Sequence, residues 1–315
     1  MRGKRFLTCL GVATAVLLGL LVLARRKLAP STEPAATLGL PAATATAFAL
    51  LRTTASSRVR LSIELDADTE DMAAAEARRV ITRSRAAYAA CTPYEDEGTV
   101  DTAFRGENQF LEQVVFRTVF AGPNAVRMAY QELPGEFGRG RLTQVIVNDA
   151  GAESVGPWNE APQRLETLEG AMNGLAGVSH GLTRAILPLL PTGSHDGHTW
   201  LDVPSPVFTG IEEVDGETCD VLEAMARGGT ERVRISIGRN DSLIHRISED
   251  TFLSGDAVRS MIAGADDVMR EAGLDLEMDS DRDAGELSTF EITTFHPRCG
   301  RPIAIEALRL TDGSL

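Results

Sequence analysis

The chain has 315 residues, with 31 lysines and arginines against 45 aspartates and glutamates, for a formal net charge of −14. All the acidic residues lie beyond residue 27, where every remaining basic residue is arginine. A body that acidic repels phosphate backbones, which argues against nucleic acid as a partner.

The first element is the unbroken apolar run Phe6–Ala24, flanked by Arg2, Lys4 and Arg5 before it and Arg25, Arg26 and Lys27 after it. At ~1.5 Å per helical residue, such a run matches the ~30 Å hydrocarbon core of a bilayer. Residues 1–27 are therefore expected to be a membrane anchor or export signal. Val22-Leu23-Ala24 would suit cleavage, but the run exceeds a typical signal peptide and Arg25 and Arg26 follow the cut directly. The expectation is a single-pass inner-membrane protein with its C-terminal body in the periplasm. The alternative is a secreted or periplasmic protein after cleavage. Basic residues are balanced on the two sides, so they do not set orientation.

Residues 28–58, rich in Ala, Thr, Pro and Ser, read as a flexible tether. The body is expected over 59–315. It begins with a helix over residues 69–91: Asp68 and Thr69 suit an N-cap, and Met72, Ala77, Val80, Ile81, Ser84, Tyr88 and Cys91 recur near helical spacing. After Pro93 the pattern turns to strands. These are expected at Tyr94–Phe104, Val114–Phe120, Ala125–Gln131, Arg141–Asn148, Val207–Val214, Thr218–Ala224, Arg232–Ile237, Ser242–Ser248, Leu287–Phe295 and Ile303–Leu310. Asp215-Gly216 is a strong hairpin signal. In the second and third strands, Phe116, Thr118 and Phe120 alternate with Arg117, and Val126, Met128 and Tyr130 alternate with Arg127. Helical insertions are expected at Pro162–Leu190, ending in the apolar knot Ala185–Leu190, and at Gly255–Gly273. Of Cys91, Cys219 and Cys299, one pair could bridge in an oxidising compartment, and the spacing does not say which.

This succession of helix, "CTPYEDEGTV", "FRTVFAGPNAVRMAYQE", "VIVNDAG", "GIEEVDGETCDVLEA", "RVRISIGRNDSLIHRISE" and "TFEITTFHP" resembles the LolA/LolB superfamily of outer-membrane lipoprotein carriers over residues 66–310. The resemblance implies an α+β fold. Its sheet would be strongly curved and antiparallel, an unclosed half-barrel with helices covering the concave face. It also implies an apolar cavity for acyl chains. The expected lining is Phe116, Phe120, Val126, Met128 and Tyr130 on the sheet and Ile186, Leu187, Leu189 and Leu190 on the plug. Arg127 is expected at the cavity mouth, near a lipid carbonyl or headgroup. An anchored body could not ferry cargo across a wide gap, so lipid sensing, local lipid handling or partner binding fits better than shuttling.

Three motifs offer chemistry. Gly177-Val-Ser179-His-Gly181 is a literal G-x-S-x-G, but the residues before it read as helix, whereas a nucleophile elbow follows a buried strand. His195-Asp-Gly-His198, with Asp202 nearby, supplies too few ligands for zinc. Asp279-Ser-Asp281-Arg-Asp283 starts like a calcium loop, but glycine and carboxylate arrive one residue late as Gly285 and Glu291. No catalytic residue, metal or cofactor is therefore expected. The reading is a non-catalytic binding protein for a lipid or an acylated protein. A sensory module that binds an envelope protein through a filled core is the alternative, and a serine hydrolase using Ser179 comes third.

Overall fold

The computed structural model describes residues 67–105, 110–133, 142–148, 151–156, 162–165, 186–191, 199–226, 229–256 and 287–309. One long helix, α1 (Ala67–Ala89), leads into β1 (Tyr94–Arg105), β2 (Phe110–Gly122), β3 (Ala125–Glu132), β4 (Leu142–Asn148), β5 (Gly151–Val155) and β6 (Gln163–Leu165). Then come β7 (Val207–Val214), β8 (Glu217–Ala226), β9 (Glu231–Gly238), β10 (Ile244–Leu253), β11 (Leu287–Phe295) and β12 (Arg298–Cys299). Short 3₁₀ turns occupy Leu187–Leu189, Trp200–Asp202 and Ile305–Leu308.

Every strand pairing is antiparallel, in the order β6-β5-β4-β3-β2-β1-β11-β10-β9-β8-β7, with β12 also against β1. Two meanders, β1 to β6 and β7 to β11, are thus joined where β1 meets β11, for example Gly98 opposite Phe295 and Val100 opposite Thr293. The end strands β6 and β7 do not pair with each other, so the sheet is a curved half-barrel that stays unclosed. Bulges at Phe120/Gly122, Phe208/Gly210 and Ile244/Arg246 add local bend and twist. The β7–β8 hairpin turns on Asp215 (φ 50) and Gly216 (φ 86), the two positive φ values a type I′ turn requires.

One face of the sheet carries the core. Val114, Phe116 and Phe120 of β2, Val126, Met128 and Tyr130 of β3, and Leu222, Ile235 and Ile247 on the other half all belong to one buried cluster. Helix α1 adds Ala77, Val80 and Tyr88, which follow the 3.6-residue repeat. Met72, expected on the same stripe, is 73% exposed. The first turns of the helix therefore reach past the core.

Polar contacts fix the docking of α1. The guanidinium of Arg83 reaches the buried carboxylate of Asp220 on β8 at 2.8 Å, and Arg239 reaches the same carboxylate at 3.3 Å. Arg85 pairs with Asp202, and the Ile244 backbone N–H donates to the Tyr88 hydroxyl at 3.0 Å. Removing Asp220 would leave two guanidinium groups facing a buried void. Asp220→Ala is expected to lower unfolding free energy by about 1–3 kcal/mol, read as a lower urea midpoint at unchanged slope. An unchanged midpoint would show that the pair contributes nothing to docking.

Two expected elements meet corrections. Gln163–Leu165, expected as the start of a helix, is a strand pairing with β5, itself unanticipated. The expected strand Ile303–Leu310 is absent: residues 301–304 have no regular structure and Ile305–Leu308 is a 3₁₀ turn. β11 already has β1 on one edge and β10 on the other, and the chain beyond β12 runs instead to a turn against β3. The open pairing of cysteines resolves as Cys91–Cys299, with Cα atoms 5.3 Å apart, and Cys219 is a free buried thiol. The apolar run 6–24, the tether 28–58 and nearly all of the insertion 255–273 lie outside the described residues. No described helix is long and apolar enough to cross a membrane.

Candidate functional site: the core face of the sheet

The residues expected to line a cavity form a ladder. Phe116 stands opposite Tyr130, Thr118 opposite Met128 and Phe120 opposite Val126 across β2 and β3. Period-2 alternation puts all of them on one face. The 3₁₀ turn around Pro188 delivers Ile186, Leu187 and Leu190 to the same cluster, with the Leu190 N–H closing back on the Leu187 carbonyl. Leu189 is half-buried against it. Apart from Leu189, sheet and plug residues alike are only 0–3% exposed, and the Tyr130 hydroxyl donates to the sulfur of Met128 at 3.6 Å.

Arg127 lies elsewhere. It is on the outer face of β3, buried with Gln144, Val119, Ala129 and Ile146. Its guanidinium donates to Gln144 Oε1 at 2.9 Å and to the Ala307 carbonyl at 3.3 Å, beneath the C-terminal turn Ile305–Leu308. Burial, and then the nearby charge of Arg117, lowers its pKa.

Gly98 makes the aromatic centre of the face. It sits between Phe116 and Phe295 in register, and those two rings meet edge to face with centroids 5.6 Å apart. A methyl group there would lie 2.7 Å from the Phe116 ring. The missing side chain is the space the ring fills.

A buried polar group also belongs to the core side, and the sequence reading missed it. Asp96 is 1% exposed. It accepts a hydrogen bond from the Tyr94 hydroxyl at 2.9 Å and another from the His296 backbone N–H at 3.1 Å. Burial pushes its carboxyl up to about 7, and those two bonds and the nearby His245 offset only part of that cost. The Tyr94 phenol is raised well above its usual range by burial and then by Asp96, and Tyr88, 5.8 Å away ring to ring, is raised by burial as well. The signal was legible: Asp96 shares strand parity with Tyr94, Gly98 and Val100, so an alternation count puts a carboxylate inside.

On the outer face, burial and then the Glu217, Glu212 and Asp241 carboxylates push the Cys219 thiol up to about 12. It is a thiol at neutral pH and a poor nucleophile. His245 bonds Asp241 at 3.0 Å. Ser179 and the whole Gly177–Gly181 motif lie outside the described residues, as do His195, His198, Trp158 and the Asp279–Asp283 stretch. Asp202 caps the turn Trp200–Asp202 through Thr199 and pairs with Arg85. Among the described residues, no group of three or more His, Cys, Asp or Glu side chains could hold a metal ion.

No protein-family model and no curated protein matches the sequence. Solved structures that it resembles distantly include LolA-superfamily and related proteins, at TM-scores of 0.26 to 0.37. LprF from Mycobacterium bovis is 11% identical at a TM-score of 0.37, covering 73% of this chain and 96% of that one. A LolA superfamily protein from Nitrosomonas europaea is 11% identical at a TM-score of 0.26, covering 74% and 97%. MucB is 12% identical at a TM-score of 0.36, covering 75% of this chain, which spans 63% of the MucB chain.

Proposed function

We infer that this protein is an extracytoplasmic binding protein, held at the inner membrane by residues 6–24, whose core face receives the acyl chain of a lipid or of an acylated protein. The observation that carries the reading is the shape of the apolar surface. One continuous apolar face runs across both meanders of an unclosed sheet. Part of its cover is the short plug Ile186–Leu190, whose regular structure is one 3₁₀ turn. A plug held mainly by apolar contact can give way to another apolar occupant of similar area. An acyl chain would gain roughly 25 cal/mol per Å² buried there. No bond need be made or broken, so no catalysis is invoked. The Cys91–Cys299 disulfide supports an oxidising compartment, in agreement with the apolar leader.

Native mass spectrometry of residues 59–315, exported to the periplasm, tests this. A lipid or acylated peptide is expected to co-purify, and Met128→Arg is expected to abolish that adduct while Arg117→Ala, on the other face, retains it. A clean apo mass, with no uptake of a fluorescent fatty acid by the folded protein, would overturn the reading. The 0–3% exposure of every expected lining residue except the half-buried Leu189 favours a second reading in that event. The core would then be permanently filled, and the protein would act as an envelope module that binds another protein through its surface.

A further inference from the structure

The disulfide joins residues 208 positions apart, and its two ends sit in opposite surroundings. Cys91 is wholly buried in the core, between the end of α1 and the start of β1. Cys299 is exposed on the two-residue strand β12. Beyond it the chain runs to the turn Ile305–Leu308 against the outer face of β3. Apart from the covalent bond, few contacts hold this segment. Tyr94 and Glu95 pair with Cys299 and Arg298, the Gly300 N–H donates to the Pro93 carbonyl at 2.8 Å, and Arg298 reaches Glu97 at 2.6 Å. The Arg127 bond to Ala307 closes the far end. No residue from Arg298 to Ala304 is buried.

We propose that the Cys91–Cys299 disulfide is a redox-operated clasp, opened at Cys299 by a dithiol oxidoreductase of the extracytoplasmic compartment, which frees residues 298–308 from the outer face of the sheet. Access selects the sulfur attacked, because only Cys299 faces solvent. The thiolate of the reductant attacks Cys299 Sγ, a mixed disulfide forms, and the Cys91–Cys299 bond breaks with its electron pair on Cys91 Sγ, which takes up a proton. The second thiol of the reductant then displaces Cys299 as its thiol. Two electrons and two protons pass to this protein, and the oxidoreductase is left with a disulfide. Cys91 is wholly buried, so once Cys299 swings away the two sulfurs no longer meet and the open state persists until an oxidant arrives. Opening leaves the Tyr94 and Glu95 backbone without its β12 partner. It also bares the part of the outer face of β3 around Arg127.

The proposal does not depend on acyl binding and is tested without ligand. Hydrogen exchange of the full chain is followed by mass spectrometry in oxidised form and after dithiothreitol. Peptides covering 298–308 are expected to exchange at least tenfold faster after reduction, while β2 and β3 peptides change less than twofold. The double variant Cys91→Ala/Cys299→Ala should match the reduced protein in both buffers. Limiting glutathione should leave its adduct on Cys299 rather than on Cys91. Unchanged protection of 298–308 on reduction would overturn the clasp. So would acceleration of the whole sheet together, which would make the disulfide a global staple.

Discussion

Gly98→Ala is expected to be among the most damaging single-methyl changes in this protein. A Cβ at that position would lie 1.9 Å from the Thr294 carbonyl oxygen and 2.7 and 2.9 Å from two atoms of the Phe116 ring. The ring could turn aside, but the carbonyl belongs to the backbone of β11, and it moves only if the β1–β11 pairing shifts. Overpacked cores usually lose about 1–3 kcal/mol, with larger losses where backbone must yield. A loss of about 3 kcal/mol or more is expected, measured by urea unfolding. Gly98→Ala/Phe116→Leu separates the two collisions: relieving the ring should recover only part of the loss. Full recovery in the double variant would show that the Thr294 contact is not the obstacle, and wild-type stability of Gly98→Ala would refute the packing argument altogether.

Asp96→Asn is expected to change how stability responds to pH. In the folded protein burial raises this carboxyl to about 7, against an ordinary value near 4. The folded state therefore holds the proton more tightly than the unfolded chain does. Folding takes up a proton between about pH 4 and pH 7, so the Asp96 contribution falls as pH rises through that window and is lowest above it. The full span corresponds to on the order of 4 kcal/mol, at ~1.4 kcal/mol per pH unit. Asparagine keeps an acceptor for the His296 N–H and has no charge to bury. The variant should match wild type near pH 4 and be the more stable of the two at pH 8. Urea midpoints measured from pH 4 to pH 8 decide the matter, and parallel curves for the two proteins would sink it.

Hairpins were legible in the sequence because their signals are local. Strand Leu287–Phe295 and strand Val207–Val214 were read with the bounds observed, and Asp215-Gly216 marks its turn by residue chemistry alone. The burial stripe of α1 was legible through Ala77, Val80, Ser84 and Tyr88. Local pattern failed where tertiary partners decide. Nothing near Cys91 points to Cys299, and nothing near Val100 points to Thr293. The apolar face of β2 and β3 was readable as a face, because alternation separates Phe116 and Phe120 from Arg117. Arg127 illustrates the limit. Its own alternation placed it opposite Val126 and Met128, and only the family resemblance moved it to the cavity mouth. Asp96 was passed over because a carboxylate within "YEDEGTV" looks like solvated surface until its neighbours on the same parity are counted.

Placing the first long strand against the last long strand has a cost in time. β1 cannot complete its ladder until β11, nearly two hundred residues further along, has arrived. Contacts so distant along the chain slow folding, because their closure entropy is lost before any contact repays it. A chain that crosses a membrane N-terminus first would present the β1 to β6 meander with one long edge, β1, bare. Unpaired strand edges invite pairing with other chains. A nascent copy held at a membrane, as proposed above for residues 6–24, would be kept apart from its neighbours during that interval. Were residues 6–24 to anchor the chain as proposed, anchoring would serve assembly too: an untethered chain is expected to refold with more aggregation at equal concentration than one held at low surface density.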